Sequence, residues 1–302
     1  MVRKLFELWK DWQEIRSRAA NVLAMNQRNL NFIYPHNPRR HFPLADDKLL
    51  TKELMVKAGV PVPATYASYS SFYELRNLEQ ELSGYGDFVI KPSKGSGGGG
   101  IIVITSRQGS NWIGPSGKRY SITELRKHIS DIIFGVYSFD LSDRVIIEER
   151  VQQNEEMTQL SPTGLADVRV ILFNHHPVLS MTRIPTLASQ GRANLHQGAI
   201  GIGINMESGT TTHAILNNEP ITAHPDTGLA LIGRQIPYWS DILRISRLAA
   251  EAVPLKYLGV DISISKKGPV LLEINVRPGL QIQNANLTGL RHRLESIRQP
   301  RP

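Results

Sequence analysis

The sequence predicts an α+β fold whose strands run mostly as antiparallel pairs, with helices set between them. Three pairs of apolar runs, each of strand length, carry that prediction. GDFVIKP and IIVIT flank a run of glycines at 95–100. DVRVILF and PVLSMTRIP meet at a polar turn from Asn174 to Pro177. YLGVDISIS and PVLLEINV meet at Lys266 to Gly268. The stretches between them repeat apolar residues with a helical period.

In chain order, Leu5, Trp9, Trp12, Ile15, Ala19, Val22 and Leu23 recur at helical spacing and predict one amphipathic helix. YPHNPRRHFPLAD at 34–46 holds three prolines and reads as an extended connector. DDKLLTKELMVKAG then predicts a helix, with Asp46 or Asp47 at the cap and Gly59 as its stop. VPVPATY is an extended entry into a strand, and residues 71–83 and 121–134 read as helices. RVIIEERV is a strand running into a polar turn, and residues 239–258 form the last predicted helix. No internal repeat or low-complexity tract interrupts this order. The organisation expected is a helix and connector over 1–45, a Gly-loop subdomain over 46–150 and a larger subdomain over 151–302.

With 302 residues the chain is long enough for two intimate subdomains, each with its own core. No apolar run reaches the roughly 18 residues that a membrane helix needs. The charged start MVRKLFELWKDWQE lacks a signal-peptide core, and a cytoplasmic location is expected. The absence of cysteine excludes disulfides, thiolate metal sites and Cys nucleophiles. The net charge of +8 is dispersed, without a helix-turn-helix or RNA-recognition signature, so nucleic acid is not the expected partner.

GSGGGG at 95–100 formally contains GxGxxG, but a strand follows it where a dinucleotide fold needs a helix. No Gly-Lys-Ser/Thr closes it as a Walker A loop. What remains is Lys91 at a strand end and a flexible, N–H-rich loop suited to closing over polyphosphate. At the acidic end, Glu273 and Asn275 are two apart and share one strand face, and Asp261 can join them across the hairpin. Three hard oxygen donors beside a phosphate site suit Mg²⁺. Val260, Ile262, Leu272 and Ile274 are expected to face the core instead. Asp167 and Arg169 share a strand face, with Arg183 on the partner strand. Arginines there can stabilise charge on a transferring phosphoryl group. The His175–His176 pair sits at a turn and reads as surface.

In this order VIKP, the Gly-rich loop, IIEERV, DVRV, RANLHQGA, GVDI and LEINVRPGL resemble the ATP-grasp superfamily, within it the ribosomal-protein glutamate ligase-like branch. The resemblance runs from about Lys48 to Gln283. It implies two α+β subdomains with antiparallel sheets clasping ATP. Lys48 and Lys91 would contact nucleotide, under a loop of Ser93, Lys94, Gly95, Ser96, Gly97, Gly98, Gly99 and Gly100. Glu148, Glu149 and Val151 would line adenine, and Glu155 or Glu156 would take the ribose. Asn194 would lie near the triphosphate, and Asp261, Glu273 and Asn275 would hold two Mg²⁺, with Mn²⁺ able to substitute. Arg169, Arg183 and Arg277 would bind the acyl-phosphate or the acid substrate.

The activity implied is phosphorylation of a carboxylate, with glutamate as one candidate acid, followed by displacement of phosphate by an amine. An ATP-grasp kinase and a non-catalytic nucleotide-binding scaffold are the alternatives. Only 47 residues precede Lys48, where such ligases usually carry an α/β domain that helps bind the acid. A protein partner or second subunit completing the site is therefore among the expectations.

Overall fold

The computed structural model describes residue 16 and residues 19–95, 97–139 and 141–298. The first predicted helix begins outside the described residues, as does Ser96 in the loop. The chain divides into two compact units, one of Asp46–Gln152 and one of the segments that precede and follow it in sequence.

In the Asp46–Gln152 unit, helix α1 (Lys48–Lys57) is capped by Asp47, whose carboxylate accepts from the Leu49 and Leu50 amides. Gly59, at φ +69°, ends it as expected. Four strands follow as one antiparallel sheet: β1 (Thr65–Tyr69), β2 (Phe88–Pro92), β3 (Ile102–Ile104) and β7 (Val145–Glu148), in the order β1-β7-β2-β3. A small second sheet comprises β4 (Ser106–Gln108), β5 (Asn111–Ile113) and β6 (Arg119–Tyr120). Residues 72–77 form a 3₁₀ turn that passes into α2 (Leu78–Ser83). Helix α3 (Ile122–Ile133) starts at a Ser121–Glu124 capping box and buries Leu125, Ile129, Ile132 and Ile133, one helical face. These side chains pack with Phe88, Ile90, Ile104, Trp112, Val145 and Ile147 in one core.

The second unit is built on a seven-stranded antiparallel sheet, β12-β11-β10-β9-β8-β13-β14. Its strands are β8 (Asp167–Phe173), β9 (His176–Ile184), β10 (Ile200–Ile204), β11 (Thr211–Leu216), β12 (Glu219–Ile221), β13 (Tyr257–Ser265) and β14 (Gly268–Asn275). Asn174 and His175, both at positive φ, make the β8–β9 turn where the sequence placed it. Helix α4 (Glu155–Leu160) precedes β8. Helix α5 (Trp239–Glu251) covers the sheet with Ile242, Ile245, Ala249 and Ala250. It stops short of residue 258 because Pro254 cannot continue a helix and β13 begins at Tyr257. Helices α6 (Ile282–Asn286) and α7 (Arg291–Arg298) close the described chain.

Two further expectations need correction. Residues 34–46 are not extended: they turn, form a 3₁₀ turn at Arg39–His41 and a helical turn at Pro43–Asp46. Pro38 and Pro43 stand at the starts of these turns, where a fixed φ and a missing N–H cost little. The stretch is tied down by Asn37, whose amide donates to the Tyr257 carbonyl and accepts from the Lys256 and Tyr257 amides. Leu272 does not share the core face with Ile274. Asp261 pairs with Glu273 but Ile262 pairs with Leu271, so Leu272 is the extra residue of a β-bulge. Leu271 takes the buried position instead. Among the described residues no helix is long and apolar enough to cross a membrane.

Candidate active site

The Asp46–Gln152 unit carries a buried cation cluster. Glu148, at the end of β7, accepts from Lys52 at 2.6 Å and pairs with Lys91 at 2.5 Å. All three side chains are at most 9% exposed. Burial opposes ionisation of Glu148, but the Lys91 and Lys52 charges outweigh it and hold the carboxyl below its ordinary range. Burial in turn lowers the Lys52 ammonium, against the pull of Glu148. Lys91 stands near the end of β2, as the sequence predicts of its position in the strand. Lys52 was missed, although one helical turn after Lys48 puts both on one face of α1.

Lys48 reaches the loop itself, donating Nζ to the Gly95 carbonyl at 2.6 Å. Ser93 is fully buried and donates to Asp47 Oδ1 at 2.6 Å, while Arg144 donates to Asp47 Oδ2 at 2.8 Å. The Lys94 amide donates to both Asp143 oxygens at 3.1 and 3.0 Å. At the far stem, His128 contacts the Gly100 carbonyl at 2.8 Å. A Cβ on Gly100, at φ +73°, would meet the Tyr137 ring at 2.7 Å. Both stems are therefore fixed, and Gly97, Gly98 and Gly99 lie between them, the first two at positive φ. Glu149 exchanges bonds with Ala64, amide to carbonyl at 2.8 Å and Ala64 amide to Oε2 at 3.3 Å. Val151 is half-buried beyond it.

The second unit carries an acid–arginine lattice on adjacent strands. Arg169 of β8 binds Asp261 of β13 bidentately, at 2.7 and 2.6 Å. Arg183 of β9 binds Asp167 bidentately and reaches Asp261 Oδ2 at 2.8 Å. Burial opposes the Asp261 carboxylate, but Arg169 and Arg183 together hold its pKa well below the usual range. Burial pushes Asp167 up to about 6, against Arg183 and aided by the Asp261 charge. The Nη1 groups of both arginines make no hydrogen bond among the described residues, which leaves donors for an oxyanion.

Asn275 Nδ2 lies 3.1 Å from Asp261 Oδ2 and 3.3 Å from Glu273 Oε1, so the three proposed metal ligands converge. Glu273 and Asn275 are only partly buried. Among the described residues no group of three or more His, Cys, Asp or Glu side chains could hold a metal ion. The donor set here is two carboxylates and one amide oxygen. That set fits Mg²⁺, which keeps waters and substrate phosphates as its other ligands.

Four residues named from the sequence make no hydrogen bond or ion pair with this lattice among the described residues. Asn194 caps the 3₁₀ turn Leu195–Gln197, its Oδ1 accepting from His196 at 3.0 Å. Arg277 lies over the Phe42 ring, 5.3 Å from its centroid. Glu155 and Glu156 are both exposed in the first turn of α4 and nothing chooses between them.

Residues 27–299 match the model of a family described as sugar-transfer associated ATP-grasp. The chain belongs to this family. Its ATP-grasp fold is the one the ordered motifs implied. The association with sugar transfer was not legible in them. Among curated relatives, a probable alpha-L-glutamate ligase of Ectopseudomonas mendocina (strain ymp) is 24% identical over 258 residues, 85% of this chain and 64% of the relative. Another, from Haemophilus influenzae (strain ATCC 51907 / DSM 11121 / KW20 / Rd), is 25% identical over 82% of this chain and 60% of its own length. The chain thus spans less than two thirds of either relative. Among solved structures, D-cycloserine synthetase DcsG matches with a TM-score of 0.46 at 16% identity, over 86% of this chain and 71% of that one. D-alanine–D-alanine ligase from Bacillus anthracis, complexed with ATP, matches with a TM-score of 0.44 at 13% identity, over 84% and 62%.

Proposed function

We propose that the chain is an ATP- and Mg²⁺-dependent carboxylate–amine ligase, joining an amino acid or peptide carboxylate to an amine. The observation that carries this reading is the convergence of Asp261, Glu273 and Asn275 beside Arg169 and Arg183. In this reading 46–150 is the subdomain that binds nucleotide phosphates and 151–302 the one that holds the metal. Lys52 and Lys91, poised on Glu148, supply charge for phosphate oxygens, and the glycine loop covers them with backbone amides. Asp261, Glu273 and Asn275 would hold Mg²⁺, which neutralises phosphate charge when bound.

The carboxylate oxygen of the acid attacks the γ-phosphorus and ADP leaves, giving an acyl-phosphate. An amine then attacks the acyl carbon, loses a proton and expels inorganic phosphate. Arg169 and Arg183, held rigid by their carboxylates, orient the anionic groups through Nη1, so positioning and charge do the catalysis. Glutamate is the first acid to test, given the relatives' printed names.

The test is incubation with ATP, Mg²⁺ and paired acids and amines, followed by mass spectrometry. The expected result is ADP, free phosphate and a condensed amide. Phosphate retained on a stable product would make the chain a kinase. Binding of nucleotide without turnover would make it a scaffold.

A further inference from the structure

The glycine loop is held at both ends by donors that engage its carbonyl oxygens. Lys48 Nζ donates to the Gly95 carbonyl at 2.6 Å, and His128 meets the Gly100 carbonyl through Nε2 at 2.8 Å. Neither anchor consumes an N–H group of the loop, the donors that an anionic ligand needs. A released exit stem would add Gly100 to the glycines that must be ordered on a ligand, and glycine loses more backbone freedom on ordering than any other residue.

His128 is itself fixed from below. It stands on α3, whose Leu125, Ile129 and Ile132 are fully buried in the core of the Asp46–Gln152 unit. A carbonyl oxygen only accepts, so Nε2 carries the hydrogen and Nδ1 is the acceptor of the neutral ring. Nδ1 faces the Tyr137 hydroxyl at 3.4 Å, and the two ring centroids are 5.4 Å apart. Burial lowers the His128 pKa. The Gly100 carbonyl and Asp131 act against that shift, and Lys118 and Lys127 add to it. The ring is therefore the uncharged donor at neutral pH.

Tyr137 packs against the same core and lies where a side chain at 100 would stand, 2.7 Å from an ideal Cβ. Helix α3 also packs on β2, the strand that carries Lys91 and leads into the loop. One helix thus registers both the phosphate-facing lysine and the loop's exit.

We propose that His128 is a positioning residue for nucleotide, holding the exit stem of the glycine loop so that the loop's amides meet the terminal phosphates. Tyr137 supports it, filling the space beside Gly100 and donating its hydroxyl to Nδ1. His128 touches no reacting atom and acts through the loop. The role in nucleotide binding rests on the reading above that this loop covers phosphates, whereas the hold on Gly100 can be tested without it.

His128→Leu removes the donor. His128→Gln restores one, because the amide nitrogen of glutamine reaches the place of Nε2. The first measurement is hydrogen exchange, read from milliseconds upward, of peptides spanning residues 95–104 in the nucleotide-free full chain. Exchange there should be about fivefold faster in His128→Leu, the equivalent of one lost hydrogen bond, and close to wild type in His128→Gln. The second is calorimetric titration with ADP and Mg²⁺, with adenosine measured by competition. His128→Leu should weaken ADP binding about five- to tenfold and adenosine binding less than about twofold, and His128→Gln should recover most of the ADP affinity. Exchange unchanged in His128→Leu, or His128→Gln no better than His128→Leu, overturns the role. Equal losses for ADP and adenosine overturn it as well, since the loop acts on phosphates. Failure of the wild type to bind ADP refutes the nucleotide reading alone, and the exchange rates then decide the hold on Gly100 by themselves.

Discussion

Glu148→Gln tests the cation cluster directly. The substitution keeps shape and removes the one charge that two lysine side chains share, at 2.6 and 2.5 Å in a site at most 9% exposed. Removing one partner of a buried pair costs about 3–5 kcal/mol, because the remaining charge is left uncompensated. The unit concerned, Asp46–Gln152, has about a hundred residues, for which each kcal/mol moves the melting midpoint by about 4 °C. A fall of about 12–20 °C in the transition of that unit is expected, read by calorimetry and by hydrogen exchange of β2 and β7 peptides. Asp131→Asn is the control. It breaks the exposed Lys127–Asp131 pair, where the lysine is 78% exposed, and such a helix pair contributes only about 0.3–0.5 kcal/mol. Adding Lys52→Met to Glu148→Gln should recover part of the loss, since one stranded charge disappears. ADP should also stabilise Glu148→Gln more than wild type, because its phosphates meet lysines no longer engaged by Glu148. A midpoint within about 2 °C of wild type, no different from the control, would refute the assignment of Glu148 as their shared counter-ion.

Three further outcomes follow from the geometry. Glu273→Ala combined with Asn275→Ala should lower Mg²⁺-dependent ADP formation by about two to three orders of magnitude, the several kcal/mol of a lost metal site, while the melting curve stays nearly unchanged because both side chains are half exposed. Unchanged turnover removes the metal assignment. Gly100→Ala places a methyl 2.7 Å from the Tyr137 ring at φ +73° and should weaken ADP binding about tenfold, some 1–2 kcal/mol of backbone strain, measured by calorimetry. Acid stability should fall for a defined reason. Asp47 and Glu148 both titrate below their ordinary values, so their stabilisation is fully present above the unfolded pKa of about 4 and is lost as pH drops through the folded values. Asp47→Asn should flatten that acid limb in urea titrations at pH 2–5, and an unaltered limb counts against it.

Much of this was legible because it is local. Turn chemistry and period marked the β2–β3, β8–β9 and β13–β14 hairpins, and two-residue spacing put Glu273 with Asn275. Strands β10 to β12 were not read. In β10 the sequence IGIGI places glycine at 201 and 203, where a Cβ would meet Leu195 at 2.7 Å and the Ala285 carbonyl at 2.3 Å. Those glycines are set by close tertiary approach, and glycine carries little strand propensity. The same holds for 34–46, whose turns are fixed by Asn37 reaching the backbone of a strand some 220 residues away. Periodicity alone cannot see a bond of that range. Lys52 escaped for a milder reason: its partner Glu148 lies 96 residues on, and only the helical offset from Lys48 hinted at it.

The bulge at Leu272 has a bearing on how this hairpin can change. Below it the strands pair Ile262 with Leu271 down to Ser265 with Gly268, and above it Asp261 with Glu273 and Gly259 with Asn275. One unpaired residue resets the side-chain parity between these halves. The donor half is therefore registered by the bulge and by β8, not by the Lys266–Lys267 tip. The tip is free to lengthen, carry a tag or accept a grafted peptide without turning Glu273 or Asn275 toward the wrong face, which makes it the natural attachment point on this protein.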